Sequence, residues 1–256
     1  MTAAATVDLN ADLGEGFGVW RLGDDEALLG IVSSANVACG FHAGDPSTMR
    51  RVCLAAAARG VAIGAQVSYR DLAGFGRRRI DYDPDDLRDD LLYQLAALDG
   101  FARVAGTRVA YVKPHGALYN TVVADEEQAA AVVAAIVDYD AGLPVLGLPA
   151  SALLRQAAGA GLRAVAEGFA DRGYLASGAL VPRGRPDAQL TDPAAVAVRA
   201  VRMAIDRTVV AVDATVVACP VESVCVHGDT PGAVALAGAV RSAFVDAGLV
   251  IRPFAG

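Results

Sequence analysis

The sequence predicts an α/β chain folded as a distorted parallel (β/α) barrel of about seven strands, TIM-barrel-like and formed as one domain over residues 1–256. Three observations predict it. Short apolar, β-branched runs alternate with helical stretches along the chain. Helix starts are marked by a capping residue followed by proline. Polar, motif-like groups stand just after the apolar runs.

The apolar runs are residues 6–13, 33–39, 61–67, 108–113, 143–148, 163–167 and 224–227, each followed by turn chemistry and then a helical stretch. Residues 208–213 and 215–218 read as a small hairpin feeding the last barrel strand. Asp45-Pro46, Asp83-Pro84, Asp192-Pro193 and Thr230-Pro231 each place a capping side chain before a proline at the first helical position. Gly60, Gly106, Gly161 and Gly248 end several helices. Two stretches, 14–23 and 168–191, break the rhythm, and loops that long on a compact domain are usually lids or binding loops.

Composition removes several function classes. A chain of 256 residues is long enough to bury most of its apolar surface in one core. A net charge of -7 without a basic stripe argues against nucleic acid as a partner. The longest apolar stretch, residues 129–137, is far short of a membrane span, and the start carries no basic or apolar leader pattern, so a cytoplasmic location is expected. Cys39, Cys53, Cys219 and Cys225 form neither a CxxC motif nor a paired framework; free, packed thiols are the better reading.

Polar residues follow six of the seven runs: Asn10, Asp12 and Glu15; His42 and Asp45; Gln66, Ser68, Tyr69, Arg70 and Asp71; Lys113 and His115; Glu167, Asp171 and Arg172; His227 and Asp229. The carboxyl ends of parallel barrel strands converge on one face, so these groups are expected at one mouth. A doubly wound open sheet, with its site at a single switch point, is the competing architecture. Lys113 is the only lysine beside 21 arginines, which points to a need for a compact, titratable ammonium.

Six motifs together carry a resemblance: residues 9–18 (Leu9 to Gly18, LNADLGEGFG), 35–46 (ANVACGFHAGDP), 74–78 (GFGRR), 113–120 (KPHGALYN), 167–172 (EGFADR) and 225–232 (CVHGDTPG). In this order they resemble the LamB/YcsF family, the A subunits of bacterial 5-oxoprolinase, over essentially the whole chain. The resemblance implies a barrel related to that of certain glycoside hydrolases and deacetylases. It also implies a part in the ATP-dependent opening of 5-oxoproline to L-glutamate, with subunits B and C as partners. Where the family often reads Gly-Ala-His-Pro, this chain has Gly64-Ala65-Gln66-Val67, which removes an imidazole at position 66.

Opening a lactam needs a nucleophilic water, a general base, stabilisation of the carbonyl oxygen's developing charge, and an acid for the departing nitrogen. Asp12, His42, Lys113 and His115 are the candidate catalytic residues, with Asp12 the first choice for base and Lys113 for the oxyanion. Lys113 has a competing role as a buried partner of a barrel carboxylate. Asn10, Glu15, Asp45, Arg77, Arg78, Glu167, Arg172, His227 and Asp229 are the candidate substrate-binding residues. Asp45 and Asp229 have capping as an equal alternative, and Arg77 and Arg78 solvated surface.

A divalent metal stays open: Asp12, His42 and position 66 could meet at the mouth, but Gln66 is a poor zinc ligand, and His115 or His227 could substitute only if the fold brings them close. ATP is expected as a co-substrate handled with the partner subunits, because the one lysine is flanked by Val112 and Pro114 and makes no Walker A loop. A stand-alone metal-dependent deacetylase or glycan hydrolase, and a non-catalytic protein that binds substrate for its partners, are the alternative functions.

Overall fold

In the computed structural model, residues 5–230 and 232–256 are described. Ten strands and eight helices follow in order: β1 (Thr6–Leu13), α1 (Asp25–Leu29), β2 (Ser34–Ala38), α2 (Pro46–Arg59), β3 (Ala62–Val67), α3 (Pro84–Val104), β4 (Val109–Pro114), α4 (Gly116–Thr121), α5 (Glu126–Asp140), β5 (Val145–Gly147), α6 (Ala152–Gly159), β6 (Ala164–Phe169), α7 (Pro193–Asp206), β7 (Thr208–Val210), β8 (Val216–Ala218), β9 (Ser223–Val226), α8 (Ala233–Asp246) and β10 (Val250–Ile251). Seven of the strands close a parallel barrel in the order β1-β2-β3-β4-β5-β6-β9, sealed by the β1–β9 pairing. This is the predicted seven-strand barrel. Strands β7 and β8 make the expected hairpin, and β10, which the sequence reading did not include, extends β1 at its amino end.

Asp45, Asp83 and Asp192 cap α2, α3 and α7 as expected, each carboxylate accepting from backbone N–H groups of the first turn. Thr230-Pro231 does not. Helix α8 begins at Ala233 with Gly232 at its cap in the left-handed region, and no side chain caps it; Pro231 lies outside the described residues.

Strand alternation divides the molecule into two compartments. Outward residues such as Leu9, Ala11 and Leu13 of β1 or Val112 of β4 join Leu87, Leu91, Leu95, Val132 and Val240 of the helices in one large apolar core between strands and helices. The barrel interior is different. Its apolar part is chiefly Tyr111, Leu146 and Val165, covered at the amino end of the barrel by Phe254 and Ala255 of the C-terminal tail, with the Tyr111 and Phe254 ring centroids 4.7 Å apart. Gly64 makes room for Tyr111, since a Cβ there would lie 2.2 Å from the ring.

Candidate active site

The rest of the interior is polar, and the alternation of Asp8, Asn10 and Asp12 along β1 starts it. At the base, Asp8 accepts from the hydroxyls of Ser33, Ser34 and Ser223. Asn10 Nδ2 donates to Ser223 Oγ (2.6 Å), and Asn36 Nδ2 donates to both Asn10 Oδ1 (2.7 Å) and Asp12 Oδ1 (2.9 Å). Tyr111 Oη donates to Asn36 Oδ1 (2.6 Å). Above this network lies Lys113, 2% exposed, its Nζ 2.9 Å from Glu167 Oε2 and 3.3 Å from Asp12 Oδ1. Asn10 Oδ1 and Cys225 Sγ complete its surroundings at 3.4 and 3.3 Å, and the Phe169 ring lies 5.0 Å away. Lys113 therefore occupies the buried carboxylate pair that was its competing role, and its three N–H donors already face four acceptors.

Burial opposes the charge on Lys113, yet the Asp12 and Glu167 carboxylates hold its pKa well above the usual lysine value. Burial likewise opposes ionised Asp12, but the Lys113 ammonium, with the Asn36 amide donating to it, keeps its carboxyl well below the usual range. For Glu167 burial wins and the pKa rises despite Lys113. Asp12 is thus ionised but weakly basic, which makes it a poor general base despite its place at the end of β1.

A second cluster joins β1, β2, β3 and β4. His42 Nε2 meets Gln66 Oε1 at 3.2 Å, and Gln66 Nε2 donates to Glu15 Oε1 at 3.2 Å. His115 Nδ1 lies 3.4 Å from the same Glu15 oxygen, in poor direction for a hydrogen bond, and the His42 and His115 rings are 4.3 Å apart. Burial pushes His42 down to about 4 and His115 well below the usual histidine range, so both imidazoles are neutral near pH 7. Glu15 is raised well above the usual range, by burial and then by Asp12. The metal question left open in the sequence, with Asp12, His42 and position 66 as one possible meeting point, now has a geometry: ligand atoms of Glu15, His42 and His115 lie within 4.8 Å of one another.

The third unit is a pair. Asp171, just past β6, accepts from the His227 backbone N–H (3.0 Å), and its carboxylate lies 2.9 and 3.1 Å from His227 Nδ1. Burial opposes its charge, but His227 keeps the Asp171 carboxyl below its ordinary pKa. With Nδ1–H turned to a carboxylate, Nε2 is the imidazole's acceptor atom. The ring stacks on Phe169 and lines a cleft with Asp12, Lys113, His115, Tyr119 and Arg183. Gly228 lets this loop pass over β1, because a Cβ there would lie 2.2 Å from the Asp12 carbonyl oxygen. Larger cavities, of about 810 and 710 Å³, lie toward the opposite end of the barrel and reach none of the mouth groups, the first touching only Asp8 at the base of the interior.

At the rim Arg77 Nη2 pairs with Asp229 Oδ2 (2.5 Å), with the guanidinium over the Phe75 ring. Arg172 is buried beside the cleft, but its Nε and Nη2 donate to the Ala188 and Val181 carbonyls and hold the 171–190 loop. Two residues expected in substrate binding stand apart. Asp45 has both oxygens engaged, by Ser47 and Thr48 N–H and by Gly18 N–H and the Thr48 hydroxyl; Arg78 is tied to Asp71. The structure thus brings together Asn10, Asp12, Glu15, His42, Lys113, His115, Glu167 and His227, with Arg77 and Asp229 above them.

Sequence reasoning passed over two contributors. Asp171 was visible in the polar group after the sixth run but had no assigned role. Arg183 lines the cleft from the long 168–191 loop and has no ion-pair partner among the described residues; the loop's length was its one signal.

The family model described as "LamB/YcsF family" matches residues 7–256. A protein of Mycobacterium avium (strain 104), named as the A subunit of 5-oxoprolinase, is 62% identical over 250 residues, covering 98% of this chain and 99% of that protein. The crystal structure of a lactam utilization protein from Thermus thermophilus superposes with a TM-score of 0.93 at 43% identity, covering 97% of this chain and 100% of that one. A family 4 carbohydrate esterase from Streptomyces lividans shares the fold alone, with a TM-score of 0.52 at 12% identity over 97% of this chain and 93% of its own. A barrel matched from β1 to the C-terminal tail, with the motif residues gathered in its interior and at its mouth, makes this chain a member of the LamB/YcsF family.

Proposed function

We propose that this chain is the A subunit of an ATP-dependent 5-oxoprolinase, a hydrolase that opens 5-oxo-L-proline, a cyclic amide, to L-glutamate together with subunits B and C. The observation that carries this reading is the Asp171–His227 pair facing the cleft across from the ionised Asp12 and Lys113. The printed names of the relatives at about 60% identity supply the substrate.

His227 Nε2 takes a proton from water, whose oxygen attacks the lactam carbonyl carbon; Asp171 fixes the tautomer and the ring's orientation. Asp12, held ionised by Lys113, accepts the water's other hydrogen bond and stabilises the imidazolium that forms. Arg183, and Arg77 if Asp229 releases it, meet the negative charge of the substrate. Collapse of the tetrahedral species breaks the C–N bond, and the His227 imidazolium returns its proton to the nitrogen. Glu15, His42 and His115 offer a donor set for a divalent cation, which would polarise a carbonyl oxygen when bound. The ATP step belongs to subunits B and C, since no Walker A loop exists in the chain.

The test is glutamate release from 5-oxoproline plus ATP, measured with this chain alone, with subunits B and C alone, and with all three. Only the full set turns over. Robust ATP-coupled turnover by the chain alone, or by B and C without it, refutes the reading.

A further inference from the structure

We infer that Glu15, His42 and His115 form a binding site for one divalent transition-metal ion, with the Gln66 side-chain carbonyl oxygen as a fourth donor. The three residues come from three strand ends, and one ligand atom from each lies within 4.8 Å of the other two. All three are buried: Glu15 is 3%, His42 0% and His115 5% exposed.

Their hydrogen bonding is incomplete in a way that a cation would complete. Both ring nitrogens of His115 and Nδ1 of His42 lack any hydrogen-bond partner, although buried polar atoms are ordinarily paired. The Glu15 oxygen nearest His115 is 3.4 Å from its Nδ1 without the direction of a hydrogen bond. Gln66 links His42 and Glu15 through its amide, its oxygen 3.2 Å from His42 Nε2 and its nitrogen 3.2 Å from Glu15 Oε1. The amide orientation is set by the hydrogen-bond pattern, so a bound ion is free to reverse it.

Two imidazoles with one carboxylate select against Mg²⁺ and Ca²⁺, which prefer all-oxygen shells, and favour Mn²⁺, Fe²⁺, Co²⁺ or Zn²⁺. His227 stands outside the set, because the ligand atoms that lie within 4.8 Å of one another are those of Glu15, His42 and His115. Metal retention is measured without substrate or partner subunits, so its outcome is independent of the lactam reading.

The test is equilibrium dialysis of chelator-stripped full chain against Mn²⁺, Co²⁺ and Zn²⁺, with metal content measured after desalting. Visible absorption of the Co²⁺ form reports the ligand field. About one equivalent is retained, and Glu15→Gln, His42→Ala and His115→Ala each weaken binding by roughly tenfold or more. His227→Gln leaves the affinity unchanged. Gln66→His supplies an imidazole in place of the amide, tightens Zn²⁺ binding and shifts the Co²⁺ spectrum; this arm decides the matter where the other variants fail to fold. Substoichiometric retention, or a Co²⁺ spectrum and affinity insensitive to Gln66→His and to the three ligand variants, overturns it.

Discussion

Replacing Lys113 by methionine removes the charge while nearly preserving side-chain length, and the structure sets the cost. Nζ lies 2.9 Å from Glu167 Oε2 and 3.3 Å from Asp12 Oδ1 in a site that is almost entirely buried. At an effective dielectric near 20, each contact carries roughly 5 kcal/mol of Coulomb attraction before desolvation is subtracted. Breaking a buried pair by removing one partner costs about 3–5 kcal/mol. Glu167 already has a raised pKa and can take up a proton when the lysine is gone, which places the loss near the lower end, about 3 kcal/mol. For a chain of this size that is a fall in Tm of roughly 6–12 °C. The deficit is largest near pH 8 and shrinks toward pH 5, because the stranded carboxylates are costly only when ionised. Adding Glu167→Gln to Lys113→Met removes one stranded charge and recovers at least about 1 kcal/mol, a coupling expected of residues in contact. Thermal and urea melts of wild type, both singles and the double variant at the two pH values provide the measurement. A Lys113→Met protein within about 1 kcal/mol of wild type at pH 8, or additive singles, refutes the argument that this ion pair holds the interior together.

Asp171→Asn keeps the shape of its contact with His227 but loses the preference for the Nδ1–H tautomer, so complemented turnover falls by on the order of 10² to 10⁴ while the melting curve moves little; turnover within tenfold of wild type rules out the dyad. Asp8, pushed up to about 6 by burial, binds its proton more tightly folded than unfolded. Stability is therefore fullest below the unfolded value of 3.8 and falls as pH rises to about 6, by up to about 3 kcal/mol. Asp8→Asn lacks that loss, so urea melts show its stability relative to wild type improving between pH 4 and pH 7; a constant difference contradicts this. Gly64→Ala drives a Cβ into the Tyr111 ring and costs about 1–3 kcal/mol or more, whereas Gly100→Ala, inside α3 with nothing within 4 Å of the added carbon, gains about 0.5–1 kcal/mol in the same melts.

The barrel was legible because its signals are local. The Asp-Pro pairs mark three helix starts within two residues, and the apolar runs coincide with the strands to within one or two residues for most of the barrel. Thr230-Pro231 failed because Gly232 offered the chain another way into α8. The candidate site was half legible. Strand ends announced Asp12, His42, Lys113, His115 and His227, but the pairings that give them roles join residues far apart in the chain, 56 positions for Asp171 with His227 and 101 for Lys113 with Asp12. Arg78 and Asp45 looked like binding residues because their local partners, Asp71 and the first turn of α2, are a matter of side-chain direction rather than of spacing. The polar alternation of Asp8, Asn10 and Asp12 was a readable sign of a hydrophilic interior.

The two compartments described above divide labour between stability and chemistry. Helices and outward strand faces bury the apolar surface that holds the chain together, while the lumen contributes mainly hydrogen-bonded polar groups and few aliphatic contacts. Substitutions in the lumen therefore alter reactivity without dismantling the outer shell, provided that charge and volume stay balanced. Such a barrel can change its chemistry one inward position at a time, and a single side chain such as Gln66, held between His42 and Glu15, is the unit of that change.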